Sequence, residues 1–230
     1  MKRPRLLDLF CGAGGCSVGY HRAGFDVVGV DIKPQPRYPF RFVQADALEY
    51  LAEHGREYDA IHASPPCQRY SQATRRNKGR EGIKQSAEHP DLVGPTRELL
   101  AEIAKPWVIE NVVGAPLHDP LLLCGTFFGL RVIRHRLFES SIFLWGPGQR
   151  CWHPKRGKVG HAGERNKQVG DWTSVAGSCC VRVGRHAMGI DWVTKRDELS
   201  QMIPPAYTEF IGRQLMKRIR EATEDRPKPC

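Results

Sequence analysis

No apolar run in this 230-residue chain approaches the roughly 20 residues that a membrane-spanning helix needs, so no such helix is expected. There is no Cys-x-x-Cys pair among the eight cysteines. Without paired spacings there is no disulfide framework, and reduced thiols in a reducing compartment are expected. Internal repeats are absent, and so is any helical seam with coiled-coil spacing, which leaves a monomer as the expectation. Acidic residues are in deficit: 25 Asp and Glu face 35 Lys and Arg, a net charge of +10 with a pI near 9.4. That imbalance suits a polyanionic partner, most often a nucleic acid. The start, Met1-Lys2-Arg3-Pro4-Arg5, is basic, but Leu6-Leu7-Asp8 interrupts any signal-peptide apolar region, so a cytoplasmic protein is expected.

What is present is an ordinary soluble balance, 40% hydrophobic and 26% charged, long enough for one sizeable core with a small appendage. Short apolar runs alternate with amphipathic stretches over the first two-thirds, the pattern of an α/β sheet. Strands are expected at Leu6–Phe10, Val27–Val30, Phe40–Val43, Ala60–His62 and Trp107–Ile109, with a helix over Ser17–Ala23. Residues 69–90 read as a long mobile loop carrying Arg69, Arg75, Arg76, Lys78, Arg80 and Lys84. From Trp145 to His186 helical periodicity is lost, and a small second lobe is expected there. Helices are expected again over Glu198–Ile203 and Ala206–Ile219, punctuated by Pro204-Pro205, before a frayed tail from Asp225 to Cys230.

The chemistry-bearing residues follow the carboxyl ends of these strands, where open α/β sheets place their ligands. Cys11-Gly12-Ala13-Gly14-Gly15 is a glycine-rich turn running into a helix amino terminus, suited to close backbone approach by a ligand. It lacks the G-x-G-x-x-G order of a dinucleotide fingerprint. Cys11 in that turn is either a small apolar filler or a cofactor-pocket residue. Asp31, closing the second strand, is spaced to bind a ribose, and Asp46 could accept from an adenine amino group; each also suits a turn or helix cap. Cys67 follows Pro65-Pro66 in a polar loop, with basic residues near enough to favour a thiolate. Glu110 ends an apolar run, where burial would raise its pKa and make it a proton donor. Arg134 and Arg136 alternate on a strand-like stretch and share a face that could bind an oxygen gaining charge, or a phosphate.

Four stretches in this order resemble the DNA (cytosine-5)-methyltransferase family, of the compact kind found in phages and actinobacteria. They are Asp8-Leu9-Phe10-Cys11-Gly12-Ala13-Gly14-Gly15, Pro65-Pro66-Cys67-Gln68-Arg69-Tyr70-Ser71, Val108-Ile109-Glu110-Asn111-Val112, and Phe128-Gly129-Leu130 followed by Arg134-His135-Arg136. The resemblance implies a Rossmann-like sheet that binds S-adenosyl-L-methionine, with a small irregular recognition lobe. It divides the chain into a catalytic domain over 1–144, a recognition lobe over 145–188 and carboxyl-terminal helices over 189–230. It implies catalysis by Cys67, Glu110, Arg134 and Arg136 on a cytosine flipped out of double-stranded DNA, within or apart from a restriction-modification system. Cofactor contacts are implied for Asp8, Phe10, Gly12, Gly14, Asp31, Ile32, Asp46, Ala47 and Pro65. The sister readings are a transfer-RNA cytosine-5 methyltransferase and a non-catalytic nucleic-acid binder. As a cofactor-pocket residue, Cys11 bears on whether the group transferred is methyl.

Two departures stand out. Val132 occupies a position where the family usually has Gln, and Gln201-Met202-Ile203-Pro204-Pro205 stands where its late Gly-Asn motif belongs. In the lobe, Cys151, His153, His161, Cys179, Cys180 and His186 are metal-binding types. Their spacing is poor, with Cys151-x-His153 tight and Cys179-Cys180 adjacent, so no metal is expected. Trp145, Trp152 and Trp172 are expected in the core or stacked on bases.

Overall fold

The computed structural model describes residues 2–70, 88–153, 159–160, 172–173, 175 and 180–224. Its centre is a seven-stranded sheet in the order β3-β2-β1-β4-β5-β7-β6. The strands are β1 (Arg5–Leu9), β2 (Asp26–Asp31), β3 (Arg41–Gln44), β4 (Ala60–Ala63), β5 (Trp107–Asn111), β6 (Leu121–Leu123) and β7 (Arg136–Ser140). β1 to β5 run parallel, and β7 pairs antiparallel with both β5 and β6. All five expected strands are found. β6 was not expected, being three residues long.

Both faces are covered, so the inner strands read as continuous apolar runs. Leu6, Val27, Ala60, Val108 and Phe138 face α1 (Gly15–Arg22) and the long helix α6 (Pro205–Glu224). Leu7, Leu9, Val28, Val30, Ile61 and Ile109 face α2 (Ala47–His54) and α3 (Val93–Ile103). A third cluster joins Ala13 and Val132 to Val175, Ala187, Met188, Ile190, Val193, Leu199 and Met202. It is built around α4 (Val181–Met188) and α5 (Arg196–Gln201). α4 corrects the expectation that helical periodicity is absent up to His186. Gly184, Ala187 and Met188 form its buried face, and Gly189 ends it at φ +68°. Pro205 opens α6 rather than merely preceding it, which suits a residue whose missing N–H is not needed in a first turn.

α1 and α6 approach closely because glycines line the contact. A Cβ at Gly19 would lie 2.0 Å from Thr208 Oγ1 and 2.2 Å from the Pro205 carbonyl oxygen. Gly19→Ala is therefore expected to overpack this seam at a cost of about 3 kcal/mol. A denaturant midpoint indistinguishable from the parent protein would show that the seam is looser than this.

Trp145 and Trp152 are 73% and 63% exposed, so neither is a core residue. The side chain of Trp172 and the basic residues of 71–87 lie outside the described residues. Of the loop cations only Arg69 is described, donating to the His89 carbonyl at 3.0 Å. Among the described residues no helix is long and apolar enough to cross a membrane.

Candidate active site

β1 sits between β2 and β4, so the chain winds outward from β1 to β3 and then returns on the other side. The crevice at such a switch point opens beyond the carboxyl ends of the strands. The Cys11–Gly15 turn leaves β1 there. Ser64, leaving β4, donates its backbone N–H to Leu9 at 3.1 Å, which holds the two exits side by side.

The turn is tightly specified. Phe10 adopts φ +56°, a left-handed conformation uncommon for a side chain of its size and characteristic of functional turns. Gly12 has φ +48°, and nothing lies within 4 Å of where its Cβ would be, so the backbone faces open space. The Gly12 N–H donates to Asp31 Oδ2 at 3.0 Å, and Lys33 N–H donates to Oδ1 at 2.9 Å. Ile32 beside it is 64% exposed. Asp46 caps α2, accepting from Leu48 N–H and Glu49 N–H at 2.8 and 3.1 Å, both through Oδ1. Ala47, the first residue of that helix, is buried beneath the rim. Gly14 precedes α1 at φ +88°, with Tyr38 and Pro39 against it. Trp192 Nε1 donates to the Ala13 carbonyl at 2.8 Å, and Arg37 grips Glu198 with two bonds of 2.6 and 3.0 Å. These ties pin the segment after α4 to the rim of the turn.

Asp8 lies on β1 beneath the turn, fully buried. It accepts from the Ser17 hydroxyl, which accepts in turn from Tyr38 at 2.7 Å. Burial pushes the Asp8 carboxyl up to about 7. The folded protein therefore holds this proton more tightly than the unfolded chain does. The stability that this proton contributes is fully present below the ordinary carboxylate range and is lost as pH rises through about 7, by on the order of 4 kcal/mol. Asp8→Asn, which keeps the shape and removes the charge, is expected to flatten that slope in unfolding measurements across the range. An unchanged slope would mean that Asp8 does not carry it.

The second half of the site follows from strand register. Asp8 pairs with His62, His62 with Val108, and Glu110 with Phe138, and directly paired residues point to the same face. Asp8, His62, Glu110 and, two residues before Phe138, Arg136 therefore project from one side of the sheet. Arg136 Nε lies 3.1 Å from Glu110 Oε1, and both side chains are largely buried. The contact is an ion pair without hydrogen-bond alignment, since Oε1 has no hydrogen-bond partner. The Ser64 hydroxyl favours the charged form of the same carboxylate. His62 bridges Ser64 and the Tyr20 hydroxyl, at 2.9 Å to each. Burial keeps that imidazole neutral, pushing it down to about 3. Burial also raises the Glu110 carboxyl, against the opposing pull of Arg136, Ser64 and Arg134.

Cys67 is half-buried on the loop leaving β4. Asn111, next to Glu110, donates through Nδ2 to the buried Pro65 carbonyl at 3.0 Å. Tyr70 N–H returns to the Cys67 carbonyl at 3.0 Å. Asn111, Ser64 and His62 carry this geometry, and residue type alone did not mark them as positioning groups. The expectation of a favoured thiolate is corrected. Burial and the Glu110 charge raise the Cys67 thiol, and Arg136 and Arg134 only partly offset them.

The two arginines also divide rather than act as one clamp. Arg136 faces Glu110, whereas Arg134 is buried and donates to the carbonyls of Val175 at 2.8 Å and Ser200 at 2.6 Å. Its own carbonyl accepts from Tyr207 at 2.6 Å. Among the described residues, four buried side-chain polar atoms lack a hydrogen bond, and three are Asp8 Oδ1, Glu110 Oε1 and Arg134 Nε. Orphaned buried groups are costly, and here they gather around one crevice.

The profile of C-5 cytosine-specific DNA methylases matches residues 4–119. The chain belongs to that family. It is 30% identical over 127 residues to the type II methyltransferase M.HgiGI of Herpetosiphon aurantiacus, a match covering 49% of the chain and 94% of that protein. It is 39% identical over 87 residues to M.XorII of Xanthomonas oryzae, covering 31% of the chain and 20% of the relative. For most of the curated relatives it matches, the chain spans well under two-thirds of their length. A prophage-encoded E. coli protein, described as a DNA modification methyltransferase, shares the fold at a TM-score of 0.61 and 16% identity. That alignment covers 95% of this chain and 99% of the other.

Proposed function

We propose that this protein transfers a methyl group from S-adenosyl-L-methionine to carbon 5 of a cytosine in double-stranded DNA, acting as a monomer. The observation that carries the reading is Cys67 held beside a buried Glu110–Arg136 pair whose carboxylate keeps an orphaned oxygen. A binding module has no use for such an arrangement.

The residues of the turn fit the cofactor. Open space above Gly12, an exposed Ile32 and a buried acid with an unbonded oxygen make a cradle that is apolar at its rim and acidic at its floor. Phe10, Gly12, Gly14, Asp31, Ile32, Asp46, Ala47 and Pro65 would hold the nucleoside portion, and Asp8 would meet the positively charged end. When bound, the cofactor supplies a methyl group on a sulfonium, which leaves as a neutral thioether.

The target base must leave the stack before a thiolate can reach its C6. Cys67 then forms the S–C6 bond, and the electrons displaced onto the ring are received as Glu110 gives a proton to N3. That step needs the protonated carboxyl, which burial favours. Arg136 steadies the carboxyl and the O2 side of the ring. Once carbon 5 is methylated its proton passes to water, N3 returns its proton to Glu110, the ring electrons re-form the C5–C6 double bond, and Cys67 leaves as the thiolate. Arg134 ties the strand that carries Arg136 to the backbone around Val175 and Ser200 and acts as a positioning residue. On this reading 1–144 is catalytic, 145–188 reads the target, and 189–230 closes the core, with the net charge of +10 serving phosphate contacts.

The test is a covalent trap: duplex DNA carrying 5-fluorocytosine, S-adenosyl-L-methionine and the full chain, beside Cys67→Ser. An adduct that survives denaturation and requires both Cys67 and the cofactor is expected. An adduct on 5-fluorocytosine RNA alone would replace DNA with RNA as substrate. No adduct on either, with cofactor bound, would overturn the catalytic reading.

A further inference from the structure

Cys124, His135, Cys151 and His153 meet at one point, although they come from separate segments of the chain. Their Sγ and imidazole nitrogen atoms all lie within 4.8 Å of one another. Cys124 follows β6 and His135 precedes β7. The register that opposes Leu123 to Arg136 carries on to set Cys124 beside His135. Cys151 and His153 reach the same point from the stretch where the chain leaves the sheet. Their tight spacing argued against a site only while the other two donors were missing.

Three of the six donor–donor separations are close to the edges of a tetrahedral site. His135 Nε2 to His153 Nε2 is 3.2 Å, Cys124 Sγ to His153 Nε2 is 3.4 Å, and Cys151 Sγ to His135 Nε2 is 3.6 Å. A zinc ion bound at ~2.05 Å to nitrogen and ~2.3 Å to sulfur would set N···N edges of about 3.3 Å and S···N edges of about 3.6 Å. The two imidazoles converge with ring centroids 4.8 Å apart and planes inclined at 38°. Hydrogen bonding alone serves this arrangement poorly. Two Nε2 atoms facing each other can share only one proton, and thiols are weak donors. Thiolate and imidazole donors select a borderline-soft ion over calcium or magnesium.

We propose that these four residues bind a structural zinc ion. Four protein donors leave no open position, so the ion is closed to substrate. It would join the sheet edge to the root of the 145–188 segment. It would also fix His135, which lies between Arg134 and Arg136, and so brace the strand that presents Arg136 to Glu110. A short, irregular segment gains order most readily from such a staple. The proposal does not depend on the methyl-transfer reading, because its readout is metal content.

The full chain, expressed with zinc in the medium and purified without chelator, is expected to carry about one zinc per chain. Cobalt substituted for it should give the ligand-field bands of a tetrahedral site together with thiolate charge-transfer absorption. Cys124→Ser and His135→Asn should each cut zinc content to a small fraction, while Cys67→Ser keeps it whole. Wild-type protein that holds little zinc and gives no thiolate–cobalt bands would overturn the proposal. So would full zinc content in both the Cys124 and the His135 variants, which would place the ion elsewhere. The cobalt spectrum is taken on unmutated protein, so poor folding of a variant cannot decide the matter.

Discussion

Cys67→Ser protein is expected to bind S-adenosyl-L-methionine as the parent does and to lose methyl transfer by at least about a thousandfold. A serine hydroxyl fills nearly the same volume, so the Pro65–Asn111 bond and the turn to Tyr70 should persist. What disappears is the only strong nucleophile at the exit of β4. A hydroxyl is far less acidic than a thiol, and the carboxyl beside it, Glu110, serves the reaction as an acid rather than a base. His62 is turned away to Tyr20 and Ser64, and burial pushes its pKa to about 3. Labelled-methyl incorporation measures the loss, and titration with the cofactor shows that the cradle is intact. Residual activity above roughly a tenth of the parent's would mean that Cys67 is not the nucleophile.

The parallel part of this fold could be read from the chain because β1, β2, β4 and β5 are buried on both faces and announce themselves as short apolar runs. Asp8, Asp31 and Glu110 lie at or near the carboxyl ends of their strands and Cys67 just beyond one, so strand order alone brings the four to the same end of the sheet. β6 escapes because Leu121–Leu123 is too short to show a period and owes its strand character to pairing with β7. α4 escapes because Val181, Val183 and Gly184 are weak helix formers, so its helical state rests on burying Ala187 and Met188. Residue types were legible where their electrostatics were not. A cysteine near arginines suggests a thiolate, but burial and one facing carboxylate reverse the sign. The two arginines look like a pair in sequence, yet one meets a carboxylate and the other meets carbonyls contributed from Val175 and Ser200. Cys151 and His153 stood out in the sequence as metal-binding types, but their partners Cys124 and His135 did not, because no spacing rule spans a contact that only the β6–β7 register creates.

Glu110→Gln is expected to move two measurements in opposite directions. Methyl transfer should fall by about 10²–10⁴, because an amide cannot give N3 the proton that the carboxyl gives. The Cys67 thiol, however, should ionise more readily. Burial is the first cause of its raised pKa and the Glu110 charge is the second, while Arg136 and Arg134 pull the other way. Removing the negative charge leaves both guanidiniums acting on the sulfur with one fewer opponent. The pH profile of Cys67 alkylation by iodoacetamide should therefore shift to lower pH in Glu110→Gln and to higher pH in Arg136→Met. A purely structural role for Glu110 would not produce this pair of shifts, since general loosening of the site would expose the thiol in both variants and move both profiles down together. In the parent protein the Glu110 charge acts directly on the Cys67 thiol. Protonating Glu110, which the N3 step requires, also removes the charge that holds the thiol up, so one proton prepares the acid and the nucleophile at once. If the Glu110→Gln profile stays in place or moves to higher pH, the two side chains are not coupled, and thiolate formation must be explained by the incoming base alone.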